Sequence, residues 1–151
     1  VYSSENLKAG VTLAAGSGTW ASLSDRSAKT DIAPLDEAAV LAKVATLPVS
    51  TWRYKTEPGV RHVGPMAQDF YAAFGVGEDD RHITSIDEDG VALAAIKALH
   101  AENVRLHADN VSLHADNARL HAGNAKLQVE NANILGRIGA LEKKVEALTA
   151  R

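Results

Sequence analysis

Ser24 and Lys29 are the one nucleophile and base set at short range in this chain, inside Ser22-Leu23-Ser24-Asp25-Arg26-Ser27-Ala28-Lys29-Thr30-Asp31-Ile32. A serine hydroxyl needs a base before it attacks a carbonyl. A lysine amine relieved of water gives up enough proton affinity to act as that base at neutral pH, the chemistry of Ser-Lys hydrolases. Spacing alone leaves a second reading open, in which Ser24-Asp25 is a cap or turn and Lys29 stands in solvent. His62 and His82 are alternative bases, but no motif joins either to a serine, and both read as structural. Asp87-Glu88-Asp89-Gly90 has the acidity of a calcium loop without its ligand pattern: it runs into Val91-Ala92-Leu93 where oxygen ligands are needed, and it reads as a turn.

The elements that must position this pair can be read along the chain. Residues 1–23 are rich in Gly, Ser and Thr, with one alternating run at Gly10-Val11-Thr12-Leu13-Ala14, the composition of short strand and turns in a connector. From Leu35 the pattern turns helical. Pro34 sits at a first-turn position, Asp36 and Glu37 near the positive end, and Val40, Leu41, Val44 and Leu47 recur at helical spacing before Pro48. Val49 to Tyr54, the turn Glu57-Pro58-Gly59 and Val60 to Gly64 predict a hairpin. Met66 to Phe74 reads as a short helix stopped by Gly75, and Ile83 to Ile86 as a short strand ahead of the acidic turn.

From about Val91 proline is absent and the apolar residues fall into a seven-residue repeat. Leu99, Leu106, Leu113, Leu120, Leu127, Ile134, Leu141 and Leu148 occupy d; Ile96, Asn103, Asn110, Asn117, Asn124, Asn131, Ile138 and Val145 occupy a. A helix of this extent is about 80 Å long at 1.5 Å per residue, so its seam needs partner helices. Asn in the seam costs stability and specifies register or oligomer state. The alternative is a set of degenerate copies of Leu-His-Ala-Asp-Asn tolerated because water enters the seam. The distal apolar layers would clamp the end, although Gly136 and Gly139 each weaken the helix by about 1 kcal/mol. His100, His107, His114 and His121 recur at e, about 10 Å apart, too far for two ligands on one helix to share a cation. They read as a half-exposed, pH-sensitive flank, and neither metal nor cofactor is expected.

Composition bounds the function. The 151 residues hold 16 Lys and Arg against 19 Asp and Glu, a formal charge of −3, which gives nucleic acid or an anionic membrane no electrostatic footing. No cysteine is present, which removes disulfides, thiolate metal sites and cysteine nucleophiles. No apolar run approaches the roughly 20 residues that span a bilayer. Val1-Tyr2-Ser3-Ser4 reads as neither a signal peptide nor an initiator end, and the chain reads as the C-terminal piece of something longer.

The run Ser24 to Ile32, then Leu47-Pro48 with Trp52-Arg53-Tyr54, then Arg61-His62-Val63-Gly64-Pro65-Met66-Ala67-Gln68-Asp69-Phe70, and Asp87 through Gly90-Val91-Ala92-Leu93-Ala94-Ala95-Ile96 resemble a known family. It is the C-terminal intramolecular chaperone domain of phage endosialidases, tail spikes and tail fibres, a module that also occurs in some bacterial surface proteins. The resemblance covers about residues 20–100. It implies that three chains register through this domain, fold, and then cut the domain off. The family's essential serine falls on Ser24 and its lysine on Lys29; Asp25 completes the motif without an assigned role, and Ser27 and Ala28 occupy variable positions. The implied reaction breaks the Leu23-Ser24 bond, with the bond after Ser24 as the alternative.

The expectation is therefore an α+β chain. Residues 1–23 would end an upstream passenger, 24–95 would form a small mixed head with autoprotease activity, and 96–151 a parallel trimeric coiled coil. Its partners would be its own copies and the passenger of the same polypeptide, in a phage tail precursor or a bacterial surface protein. The rival is a trimerisation and adaptor module that never cuts. A hydrolase acting on outside substrates would need a substrate-binding motif that the sequence lacks.

Overall fold

The computed structural model describes residues 9–150. Of the expected connector, residues 1–8 lie outside the described residues, as does Arg151. The chain divides into two compact units between Ala101 and Glu102.

The first unit opens with two short antiparallel strands, β1 (Val11–Thr12) and β2 (Ala21–Ser22), in the register Val11↔Ser22 and Thr12↔Ala21. A 3₁₀ turn follows at Arg26–Ala28, then α1 (Glu37–Thr46). Asp36 caps α1, its carboxylate accepting from Ala39 N at 3.0 Å, so the helix starts beyond Pro34 rather than on it. It ends where a following proline demands extended backbone: Leu47, before Pro48, has φ −67° and ψ 125°.

The expected hairpin is present as β3 (Ser50–Trp52) and β4 (His62–Gly64), paired Ser50↔Gly64, Thr51↔Val63 and Trp52↔His62. Two exposed strands are marginal in water, and this pair is reinforced on one face by aromatic contacts. The Trp52 ring stacks on His62 at 4.7 Å between centroids and meets Tyr54 edge-on at 4.9 Å. Helix α2 (Ala67–Phe74) stops at Gly75, whose φ of +64° is the left-handed cap that only glycine adopts freely; its N–H donates to Tyr71 O at 2.8 Å.

One expectation is overturned. Ile83 to Ile86 is not a strand, and Asp87 to Gly90 is not a turn; both lie at the entrance of α3 (Ser85–Thr149). The reason is local. Thr84 caps the helix, its Oγ1 accepting from Asp87 N at 3.2 Å and donating to Asp87 Oδ2 at 2.6 Å, while Glu88 N donates to Thr84 O at 3.1 Å. The acidic run belongs at the positive helix end for the same electrostatic reason. Gly90 costs about 1 kcal/mol in a helix interior. Packing offsets that cost, because Val91, Ala94 and Ala95 in the first turns of α3 join Val40, Leu41, Val44 and Phe74 in the core.

That core is thin. The buried hydrophobic side chains among the described residues are Val40, Phe70, Ala94, Ala95 and Ala98. At its rim Lys97 pairs with Glu37, and the Lys43 ammonium lies 6.0 Å from the Phe74 ring centroid. Phe70, 3% exposed, is the largest member, and Phe70→Ala should remove about 3–5 kcal/mol, a large share of what a domain this size holds. Thermal melting followed by circular dichroism should show the first unit unfolding well below wild type.

The second unit is the helix from Glu102 onward, about 70 Å of it. Leu106, Leu113, Leu120 and Leu127 are all exposed along it. The observed class is thus a mixed α+β chain with small sheets and a long C-terminal helix, as expected from the sequence.

Candidate active site

The chain reaches Ser24 straight from β2. Leu23 N donates to Gly10 O at 3.0 Å, extending the β1–β2 pairing by one bond and holding the residue before the serine in line. Asp25 then caps the 3₁₀ turn. Its Oδ1 accepts from Ser27 N at 2.7 Å and from Ser27 Oγ at 2.8 Å, and Ala28 N donates to Asp25 O at 3.1 Å. The two bonds from Ser27, side chain and then backbone, hold the Asp25 carboxyl below the usual carboxylate range. A 3₁₀ turn rises about 2 Å per residue, so a single turn returns the chain close to where it started. Lys29, extended at φ −118° and ψ 151°, closes it, with its N–H donating to Arg26 O at 3.2 Å.

The result is a short bridge: Lys29 Nζ donates to Ser24 Oγ at 2.7 Å. Asp25, to which the motif assigned no role, is thus the cap of the turn that spaces the pair, as the cap reading of Ser24-Asp25 had it. Ser27, read as a variable position, supplies the cap's two donors. The Asp-x-Ser spacing of an Asx turn was the signal that would have found it. Both Ser24 and Lys29 are exposed, and they line a shallow depression of about 230 Å³ with Arg26 and Ile32. Lys29 also lines a groove of about 500 Å³ that runs past Gly10, Val11, Leu23, Thr84 and Ile86, alongside the bond before Ser24. After the turn, Asp31 is the one described non-glycine residue with positive φ, at 53°. Asp tolerates that conformation at lower cost than most residues.

The polarity of the Ser24–Lys29 bond matters. An ammonium donating to the hydroxyl is the resting arrangement; base catalysis needs the reverse, a neutral amine accepting the serine proton. Removing water from the lysine is what permits that exchange.

The two histidines stand apart from the pair. His82 Nδ1 lies 3.0 Å from both Asp79 carboxylate oxygens. Stacked on Trp52, His62 has Nε2 3.6 Å from Glu57 Oε2, beyond hydrogen-bond reach. The seam residues, Ile96 and Leu99 through Leu148, lie along α3. Among the described residues no cluster of three His, Asp or Glu could hold a metal ion.

Asp25→Ala removes the cap that spaces the pair, whereas Asp25→Asn keeps an oxygen in place for Ser27 N. If the pair is catalytic, timed intact-mass measurements should show cleavage in the alanine variant slowed on the order of tenfold to a hundredfold, with the asparagine variant near wild type.

These features define a class: a small α+β domain with a hydrogen-bonded serine–lysine pair at its edge, continued by a helix whose heptad seam is uncovered. Residues 24–76 match the Peptidase_S74 family model, described as chaperone of endosialidase, and the resemblance read from the motifs is thereby borne out. The matched segment runs from Ser24 through the 3₁₀ turn, α1, the β3–β4 hairpin and α2. No curated protein and no solved structure matches the chain.

Proposed function

We propose that this chain is an intramolecular chaperone that trimerises through α3, registers an upstream passenger of the same polypeptide, and then releases itself by cutting before Ser24. The observation that carries the cleavage is the 2.7 Å bond between Lys29 Nζ and Ser24 Oγ, inside the segment that matches the chaperone family.

In the proposed reaction, neutral Lys29 takes the Ser24 hydroxyl proton as Oγ attacks the Leu23 carbonyl carbon. The C–N bond breaks, the proton passes to the freed α-amine of Ser24, and an ester joins Leu23 to Ser24 Oγ. Water then hydrolyses the ester, leaving a carboxylate on Leu23 and the hydroxyl on Ser24. Both side chains are exposed in a single chain, so the amine loses its water only when neighbouring copies pack over the turn. Cleavage then follows assembly. That order fits a chaperone: intertwined fibres have high contact order, a coil that zips early raises the local concentration of the chains, and removing it afterwards traps the folded product kinetically.

The same exposure favours the second reading, an adaptor that assembles and never cuts. Intact mass of the expressed protein separates them. Fragments ending at Leu23 and beginning at Ser24 support self-cleavage; a stable full-length trimer supports the adaptor, and a monomer removes both.

A further inference from the structure

Resting on the oligomeric reading above, we infer that the copies of α3 align parallel and in register through carboxylate–imidazole pairs that flank the seam, which makes assembly pH-dependent. With Leu at d, position g holds Glu102, Asp109 and Asp116, and position e holds His107, His114 and His121. In a parallel coil each g residue faces the e residue five positions later on the neighbouring helix. The facing pairs are then Glu102 with His107, Asp109 with His114, and Asp116 with His121, three at each interface. Arg137 at g faces Glu142 at e in the same alignment. An antiparallel alignment sets e against e and g against g, imidazole on imidazole and carboxylate on carboxylate. Charge complementarity therefore selects a second copy of this chain, parallel, as the occupant of the exposed face that carries Leu106, Leu113 and Leu120.

The surroundings of the imidazoles on their own helix are neutral. At three and four residues' distance His107, His114 and His121 have only Asn, Val and Ala. Two of the three carboxylates already hold a cation within the chain: Arg105 Nη1 is 3.4 Å from Asp109 Oδ2, and Arg119 Nη1 is 2.8 Å from Asp116 Oδ1. Those arginines stand at c and leave the e side of each carboxylate for the neighbouring copy. From Glu102 to Thr149 every described residue of α3 but Gly139 is exposed. His100 is a built-in control, because the g residue that would face it is Ala95.

Imidazole is the side chain that changes charge between about pH 5 and 8, and a facing carboxylate favours its charged form. Pairing stabilisation is therefore present at the low end of that window and lost at the high end.

Sedimentation of the full chain across a concentration series, at about pH 5.5 and about pH 8, tests this. The midpoint concentration for assembly should be about tenfold lower at the acidic pH, the size expected of several exposed pairs at each interface. His107→Gln/His114→Gln/His121→Gln should assemble with that dependence abolished, and His100→Gln should retain it. Equal midpoints at both pH values, tighter assembly at the higher pH, or an undiminished pH response in the triple variant would overturn the pairing while leaving the oligomer standing. A chain that is monomeric throughout overturns the oligomeric reading itself.

Discussion

If the chain cleaves itself as proposed, Ser24→Ala should leave it at full mass, with no fragment beginning at Ser24 over a time course that suffices for wild-type cleavage. Removing the attacking oxygen removes the ester route entirely, so the loss in rate should exceed about a thousandfold. Lys29→Arg is the sharper variant. A guanidinium keeps the positive charge and can still donate to Ser24 Oγ, but it does not give up its proton in a protein. It should therefore be as inactive as Ser24→Ala while its oligomeric state is unchanged, since neither side chain is buried in the head. Intact mass and sedimentation on the same samples read both quantities. Wild-type cleavage by Lys29→Arg would show that the lysine positions the hydroxyl without serving as its base.

The second large effect belongs to the seam. Replacing Asn103, Asn110 and Asn117 together with Ile should convert three polar layers into apolar ones. In a trimer each layer buries three side chains, and at about 1.5–3 kcal/mol per isoleucine the gain is on the order of 10 kcal/mol or more. If α3 forms the proposed trimeric coil, its thermal transition should move up by tens of degrees, and a released domain should stay trimeric at dilutions where the unsubstituted one dissociates. Such a result would mean that the Asn layers keep the coil weak enough to leave its product. Unchanged dissociation would mean that water already fills those layers and that the repeat is merely tolerated.

Much of this molecule was legible along the chain. The Leu47-Pro48 stop, the Glu57-Pro58-Gly59 turn and the Gly75 cap are each decided within a few residues, by backbone preferences that neighbours in space do little to alter. The start of α3 was misread for an instructive reason. Ile83 to Ile86 followed by Asp-Glu-Asp-Gly carries strand and turn propensities, while the opposing signal, Thr84 three residues before Asp87, is a single pair of side chains whose bonding only coordinates reveal. Core contacts of Val91, Ala94 and Ala95 with α1 then outweigh Gly90.

The candidate site divides in the same way. Residue types and spacing singled out Ser24 and Lys29, but left both a catalytic pair and an ordinary cap with a solvated lysine open. The structure holds elements of both: Asp25 is a cap, and because it caps a 3₁₀ turn, Lys29 returns to Ser24. His62 shows the converse. Its type invites chemistry, yet its ring is stacked against Trp52 in the hairpin.

What the amino-acid order determined by itself was of short range or strict period: the proline stop of α1, the hairpin turn, the glycine cap of α2, the heptad pattern, and the family motif from Ser24 onward. These depend on dihedral preferences and a repeat of seven, which need no knowledge of distant contacts. The tertiary structure alone decided that the acidic run opens a helix, that Asp25 and Ser27 shape the turn, and that the lysine ammonium meets the serine oxygen. Each of those outcomes turns on where side-chain atoms lie in space, and a hydrogen bond is won or lost within a few tenths of an ångström.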